Sequence, residues 1–94
     1  MTRYAIECST EEQRDALAAV LAERRHQDRS WGPGQGAIQV GSYINTIRKL
    51  LNDAERAYGE NRTDAPALGK LIEVVAAGLA CLEQHGVPQR AKHE

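Results

Sequence analysis

The segment ERRHQDRSWGPGQG, residues 23–36, holds the side chains of this chain that are best suited to binding chemistry. It places Trp31, the only tryptophan, within seven residues of Arg24, Arg25 and Arg29. A flat ring beside guanidinium groups is suited to a nucleotide, with the base stacked on the ring and the phosphates on the arginines. The structural alternative is that Trp31 is a core anchor in front of a turn. The helices that position this segment help to decide between these two interpretations of Trp31.

Three amphipathic helices are predicted, at residues 9–28, 37–58 and 65–85. The string STEE at residues 9–12 has the form of a capping box and starts the first helix. In the second, apolar residues recur at alternating steps of four and three, the spacing of one helical stripe: Val40, Ile44, Ile47, Leu51, Ala54 and Tyr58. Gly59 is placed to end it, and Gly86 with Pro88 to end the third.

These helices predict a single all-α domain over residues 1–94, with residues 87–94 as a flexible tail. Helices two and three are long enough to form an antiparallel hairpin. Their apolar stripes exceed what one chain of this size can cover, so we expect a homo-oligomer, at least a dimer, that closes around a four-helix core.

Composition excludes several classes of partner. The 94 residues carry 12 basic and 13 acidic side chains and a formal net charge of −1, which gives no cationic field for a nucleic-acid polymer. No apolar run approaches the length that spans a bilayer, and the N-terminus does not resemble a signal peptide. We therefore expect a cytoplasmic protein that binds neither nucleic acid nor membrane.

The polar faces of helices two and three supply further candidate residues. Ser42, Asn45 and Lys49 share one side of helix two, and Lys70 and Glu73 lie on helix three. Solvated surface is the ordinary explanation of such faces. A run of small residues, Ala76 to Gly78 with Ala80, predicts either close approach of another helix or room for a ligand.

Three strings together carry a family resemblance: LAERRHQDRSWG, VGSYINTIRKLLNDAERA and LGKLIEVVAAGLACLE. Over about residues 22–83 the chain resembles the MazG-like all-α nucleotide pyrophosphohydrolases, in particular their small phage-encoded branch. The string Glu-Arg-x-x-Gln-x-x-x-Trp-Gly, which includes Gln27 and Trp31, is its most specific part.

The resemblance implies a magnesium site made of four carboxylates, Glu-x-x-Glu on helix two and Glu-x-x-Asp on helix three. Carried over, these positions fall on Ser42, Asn45, Lys70 and Glu73, of which only Glu73 is a carboxylate. Lys70 would repel a divalent ion and instead contact phosphate directly. In another register Asp53 becomes available, but it makes a poor metal pair with Glu55, since the two point to different sides of the helix.

We therefore expect a non-catalytic nucleotide-binding protein without a cofactor. By analogy with small phage-encoded binding proteins, it would sequester a host immune signal, an ADP-ribose derivative or a cyclic oligonucleotide. The expected ligand contacts are Arg24, Arg25, Gln27, Arg29, Trp31, Ser42, Asn45, Lys49, Lys70 and Glu73. One alternative is a magnesium-dependent nucleoside triphosphate pyrophosphohydrolase, and another is a purely structural or protein-interaction bundle. The sequence specifies neither the base nor the number of phosphates.

Overall fold

The structure, a computed structural model, describes residues 7–31 and 37–89, except the side chain of Trp31. Three helices make up most of these residues. They are α1 (Glu11–Trp31), α2 (Val40–Glu60) and α3 (Ala65–His85). No strand occurs in these two segments, and the all-α class is confirmed. The predicted turn at residues 32–36 and the end of the tail, residues 90–94, lie outside the described residues.

The start of α1 uses a cap one residue later than predicted. The Thr10 hydroxyl, not that of Ser9, accepts a hydrogen bond from the Gln13 amide at 3.0 Å. The Gln13 side chain in turn accepts from the Ser9 amide at 2.8 Å. Thr10 and Gln13 therefore do the work assigned to Ser9 and Glu12, because a Gln three residues after the cap serves as well as a Glu.

The other helix ends match the prediction to differing degrees. α1 continues to Trp31 instead of ending at residue 28, and α2 covers Val40–Glu60 instead of 37–58. Gly59 does not end α2; Asn61 does, since its side-chain Nδ2 and its backbone N both donate to the carbonyl of Ala57. The bounds of α3 are as predicted, and Gly86 follows it with a φ of +88°, a conformation that favours glycine.

The segment that leads into α2 is held by the last turn of α3. Gln84 Oε1 accepts a hydrogen bond from the Ile38 amide at 2.8 Å, and the His85 ring lies 2.6 Å from the Ile38 carbonyl. The Tyr43 ring meets His85 edge to face, with centroids 6.3 Å apart. α3 also packs against α1, whereas α1 and α2 make no direct helix contact in the described segments. α3 is thus the central helix.

Small side chains fill the core between these helices. Apart from Tyr43, the buried apolar residues are alanines: Ala54, Ala67, Ala76, Ala77 and Ala80. The small residues of α3 therefore let neighbouring helices approach closely, one of the two roles predicted for them. Gly78 is only half-buried.

Larger apolar side chains lie outside this core. Among the described residues, the most exposed ones on α2 and α3 form two stripes: Val40, Ile44, Leu51 and Tyr58 on α2, and Leu68, Leu71, Val75 and Leu82 on α3. We call these eight residues the apolar face. Each is between 40% and 66% exposed in the single chain.

Tyr43 gives the fold a dependence on alkaline pH. Burial raises the pKa of Tyr43 above its ordinary value of 10.0, because it disfavours the charged phenolate. The contribution of Tyr43 to the free energy of unfolding is fully present below about pH 10. It is lost as the pH rises through the higher pKa that Tyr43 has in the folded state. We expect chemical denaturation at pH 8 and pH 11 to show a loss of stability that Tyr43→Phe reduces. Tyr58→Phe, which removes the same hydroxyl from an exposed side chain, is the control.

α3 is more apolar than expected from the sequence pattern. Its 21 residues include a window of mean hydropathy 1.7, of which 22% is buried, so by length and composition it meets the criteria for a membrane span. The expectation that no segment reaches that length is therefore wrong for α3. Core helices of water-soluble proteins meet the same criteria, and the cytoplasmic location stays a prediction.

Candidate ligand-binding cleft

A cleft of about 500 Å³ opens between α1 and α2, where the two helices flank α3 without touching each other. Its walls come from all three helices: Glu23, His26, Gln27 and Ser30 of α1, Thr46, Lys49, Leu50 and Asp53 of α2, and Glu73 of α3. The volume lies within the range of small-molecule sites. The cleft is therefore the candidate functional site.

The spacing of the lining residues explains why they converge. On α1 they step from 23 to 26, 27 and 30, and on α2 from 46 to 49, 50 and 53. Residues three, four and seven apart share one face of a helix, so each helix presents one stripe to the cleft. This repeated spacing groups the residues of each stripe, but it does not show which stripe of a helix faces the cleft.

Gln27 is the most enclosed polar residue of the site, with 4% of its surface exposed. Its Nε2 donates to the backbone carbonyl of Glu73 at 3.2 Å, which joins α1 to α3. A carbonyl oxygen only accepts hydrogen bonds, and this fixes the orientation of the amide. The other amide atom, Oε1, is buried without a partner. An unpaired buried acceptor costs about 1–3 kcal/mol, a cost that a donor on a ligand would offset.

The charges of the cleft are mainly negative. Glu23, Asp53 and Glu73 contribute carboxylates, and Lys49 is the cation among the lining residues. Lys70 lies beside the cleft, where its Nζ is 3.2 Å from Glu73 Oε2. With 40% and 30% of their side chains exposed, this pair contributes little stability but orients Glu73.

Arg24 was predicted to contact phosphate, but its guanidinium group is already paired with two carboxylates. Its Nε and Nη2 donate to the two carboxylate oxygens of Glu83 at 2.9 and 3.0 Å, and Nη1 donates to Asp28. Burial lowers the pKa of Arg24, but the hydrogen bonds to Glu83 and Asp28 outweigh that effect and raise it above its ordinary value. In this arrangement Arg24 attaches α1 to α3, because its planar fork matches a carboxylate in two-point contact.

The structure brings together three of the expected ligand contacts, Gln27, Lys49 and Glu73. Arg25 and Arg29 on α1, and Ser42 and Asn45 on α2, are exposed and do not line the cleft. Trp31 is the last residue of α1, one position after Ser30, but its side chain is outside the described part of the chain.

Six lining residues were not predicted as ligand contacts: Glu23, His26, Ser30, Thr46, Leu50 and Asp53. On α2, Asp53 shares the cleft with Glu73, whereas Ser42 and Asn45 lie outside it.

The side chains do not fit the magnesium site that the resemblance implies. Glu23, Asp53 and Glu73 line one cleft, yet within residues 7–31 and 37–89 no three His, Cys, Asp or Glu side chains converge on a point that could hold a metal ion. Glu73 is also paired with the ammonium of Lys70, whose fixed charge opposes a neighbouring cation.

The chain matches no protein-family model, no curated protein and no solved structure in the comparisons made. Its resemblance to the MazG-like proteins therefore stays a prediction from the three strings, and the function is argued from the cleft itself.

Proposed function

We propose that this chain is a non-catalytic nucleotide-binding protein whose ligand occupies the cleft between α1 and α2. The observation that supports this most is the composition of the cleft walls. They combine an apolar side chain, Leu50, with hydroxyls from Ser30 and Thr46, the amide of Gln27 and one cation, Lys49. The volume is that of a small-molecule site, and these side chains are directional hydrogen-bonding groups that would orient a ligand.

Lys49 is the residue of this lining that can bind phosphate, as a point charge with three donors. Arg25 and Arg29 remain candidates for outer phosphate contacts, since both are exposed on α1, the helix that supplies one wall. Trp31 remains a candidate stacking ring on the basis of its place in the chain. In this proposal Arg24 and Lys70 bind phosphate only by giving up their carboxylate partners.

Binding without cleavage is supported by the pairing of Lys70 with Glu73, which neutralises one of the carboxylates a metal would need. The alternative, a magnesium-dependent pyrophosphohydrolase, has one observation in its favour: Glu23, Asp53 and Glu73 line the same cleft. A protein that holds a nucleotide without cleaving it acts by sequestration. We extend the proposal to a phage-type binding protein for a host immune signal, an ADP-ribose derivative or a cyclic oligonucleotide.

We also propose a homodimer in which the apolar face of one copy packs against that of a second. The face runs along α2 and α3, and each of its side chains is at least 40% exposed in the single chain. Two such hairpins would form a four-helix core with self-complementary surfaces, the usual arrangement of a two-fold dimer. On α2 the stripe of Leu51 and the cleft stripe of Lys49 and Asp53 lie on different sides, so the dimer would leave the cleft open.

The test is a thermal-shift and calorimetric screen of nucleotides with EDTA present. It covers nucleoside mono-, di- and triphosphates, ADP-ribose derivatives and cyclic oligonucleotides. A ligand at a hundred times its Kd should add about 2.7 kcal/mol of stability. Binding in EDTA without product formation supports the proposal. Magnesium-dependent release of pyrophosphate would establish the enzyme instead, and no binding by any nucleotide would leave the structural bundle.

Lys49→Ala should weaken the binding of a phosphate-containing ligand about tenfold or more, because a charge-assisted hydrogen bond contributes roughly 1.5–3 kcal/mol. Isothermal titration calorimetry measures the change. Arg48→Ala is the matched control, since it removes the same charge from the neighbouring, exposed position of α2 that does not line the cleft. Equal losses in both variants would indicate a general charge effect and contradict a phosphate contact at Lys49.

A further inference from the structure

Lys49 and Asp53 lie four residues apart on the stripe of α2 that faces the cleft. The rise of an α-helix separates such residues by about 6 Å along its axis. Within residues 7–31 and 37–89, neither side chain makes a hydrogen bond or an ion pair with another residue. A basic residue that precedes an acidic one is also the less favourable order for a pair on a helix. The ammonium and the carboxylate are therefore both available to a ligand.

The helix directions give the cleft two distinct ends. α1 runs antiparallel to α3, since Arg24 contacts Glu83 and Gln27 contacts Glu73. α2 also runs antiparallel to α3, because a short connection joins the two helices and the segment before α2 contacts the last turn of α3. α1 and α2 are therefore parallel to each other. The last lining residues of α1 and α2 thus lie at the same end of the cleft.

A hydroxyl and a carboxylate share that end. Ser30 is the last lining residue of α1, and Asp53 is the last of α2. Asp53 is half-buried and borders the open space of the cleft, so a ligand can reach its side chain. An ionised carboxylate only accepts hydrogen bonds, and its two oxygens can bind two neighbouring hydroxyls at once. It repels a phosphate, which would lie nearer to Lys49, one turn back along α2.

We propose that the nucleotide in this cleft carries a free ribose diol, whose 2′ and 3′ hydroxyls donate to Asp53 while its 5′ phosphate contacts Lys49. This inference rests on the proposed function and specifies its ligand class. The phosphate and the diol of a nucleoside 5′-phosphate lie on opposite sides of the ribose, a separation close to that of about one helical turn between Lys49 and Asp53. Nucleotide-binding proteins recognise the 2′ hydroxyl through an acidic side chain in the same way.

The diol distinguishes between the two ligand classes of the proposed function. ADP-ribose keeps the 2′ and 3′ hydroxyls of its adenosine free. A cyclic oligonucleotide with 3′–5′ linkages has its 3′ oxygens esterified, so it lacks one of the two donors and places a phosphate where the carboxylate of Asp53 would repel it. The inference therefore favours ADP-ribose derivatives with a free diol, and ribonucleotides over deoxyribonucleotides.

Nucleotides that differ in the ribose hydroxyls test this inference. Calorimetry with EDTA present would compare the 5′-mono- and triphosphates of adenosine, guanosine, cytidine and uridine with their 2′-deoxy counterparts, and ADP-ribose with cyclic di-AMP. We expect each ribonucleotide that binds to do so about tenfold or more tightly than its deoxy counterpart, since a hydrogen bond to a charged acceptor has an effect of this order. ADP-ribose should exceed the cyclic dinucleotide by a similar factor.

Asp53→Asn removes the charge of the acceptor with little change in shape and should bring the ribo and deoxy members of a pair to within about threefold of each other. A change in charge near the phosphate acts on both members, so it cancels in their ratio. Glu55→Gln is the matched control, because it makes the same acid-to-amide change at an exposed residue of α2 that does not line the cleft. If Asp53→Asn fails to fold, the nucleotide pairs measured on the unaltered chain still decide the ribose preference.

The outcomes separate this inference from the proposed function. Equal binding of ribo and deoxy members, tighter binding of the cyclic dinucleotide than of ADP-ribose, a ribose preference that survives Asp53→Asn, or one that Glu55→Gln abolishes equally would each overturn the inference while leaving a nucleotide-binding protein. If no nucleotide binds at all, the proposed function fails and the ribose preference fails with it.

Discussion

In sedimentation velocity at micromolar concentration, we expect the chain to be a dimer and its Leu51→Lys variant a monomer. Leu51 is 49% exposed in the single chain and lies within the α2 stripe of the apolar face. Burying the exposed half of a leucine contributes about 0.8–1.5 kcal/mol, and two-fold symmetry places two copies in the interface. Their loss, about 1.5–3 kcal/mol, corresponds to an increase of roughly 10- to 10²-fold in the Kd of the dimer, to which the cost of burying two lysine ammonium groups is added.

Asn52→Lys is the control for this experiment. It introduces the same charge one residue further along α2, about 100° around the helix from Leu51 and at an exposed polar position. The dimer should persist in it. A chain that sediments as a folded monomer before any substitution would remove the proposed interface, and a dimer that tolerates Leu51→Lys would place the interface elsewhere.

Ala76→Leu should be the most destabilising single substitution in the core. Ala76 has no exposed surface, and it lies on the central helix, which packs against both of the others. Three additional carbons have no space there, so α3 and its neighbours must separate. Overpacking of this kind costs about 1–3 kcal/mol, and for a domain of this size each kcal/mol lowers the Tm by roughly 4–8 °C. We expect a loss near the upper limit, measured by urea denaturation.

A matched substitution on the same helix should have the opposite sign. A Cβ added at Gly69 meets no atom within 4 Å, and the residue is exposed. Gly69→Ala should therefore raise the stability by about 0.5–1 kcal/mol, because alanine loses less conformational entropy in a helix. If Ala76→Leu were tolerated as well as Gly69→Ala, the close helix contact would be contradicted.

The end of a helix could be predicted where the residues at that end determine it by themselves. The bounds of α3 match the prediction, with Pro66 in its first turn and Gly86 directly after its last residue. The end of α1 could not be predicted in this way, because the polar residues that follow Leu21 suit both a helix and a loop. Hydrogen bonds with α3, from Arg24 to Glu83 and from Gln27 to Glu73, hold this part of α1 in place, and they depend on residues far away in the chain.

The candidate site was only partly predictable for a related reason. Helical spacing determines which residues share a face, but it does not determine which face meets another helix. Ser42, Asn45 and Lys49 form a polar stripe on α2, yet the cleft uses Thr46, Lys49 and Asp53. Only the placement of α3 selects between these overlapping stripes. Similarly, Arg24 was interpreted as a phosphate contact. Its partner Glu83 lies 59 residues away, so the local sequence does not show that the two are paired.

The absence of contact between α1 and α2 in the described segments bears on the order in which the molecule folds. α2 and α3 are joined by residues 61–64, so their pairing closes a short loop, whereas the Gln27 and Arg24 contacts of α1 join residues 46 and 59 positions apart. The entropy of loop closure therefore favours α2 with α3 as the first stable unit and α1 as the last helix to dock. The same helix should detach first in native-state hydrogen exchange, and it takes one wall of the cleft with it. A bound ligand would slow exchange in α1 more than in α2 or α3.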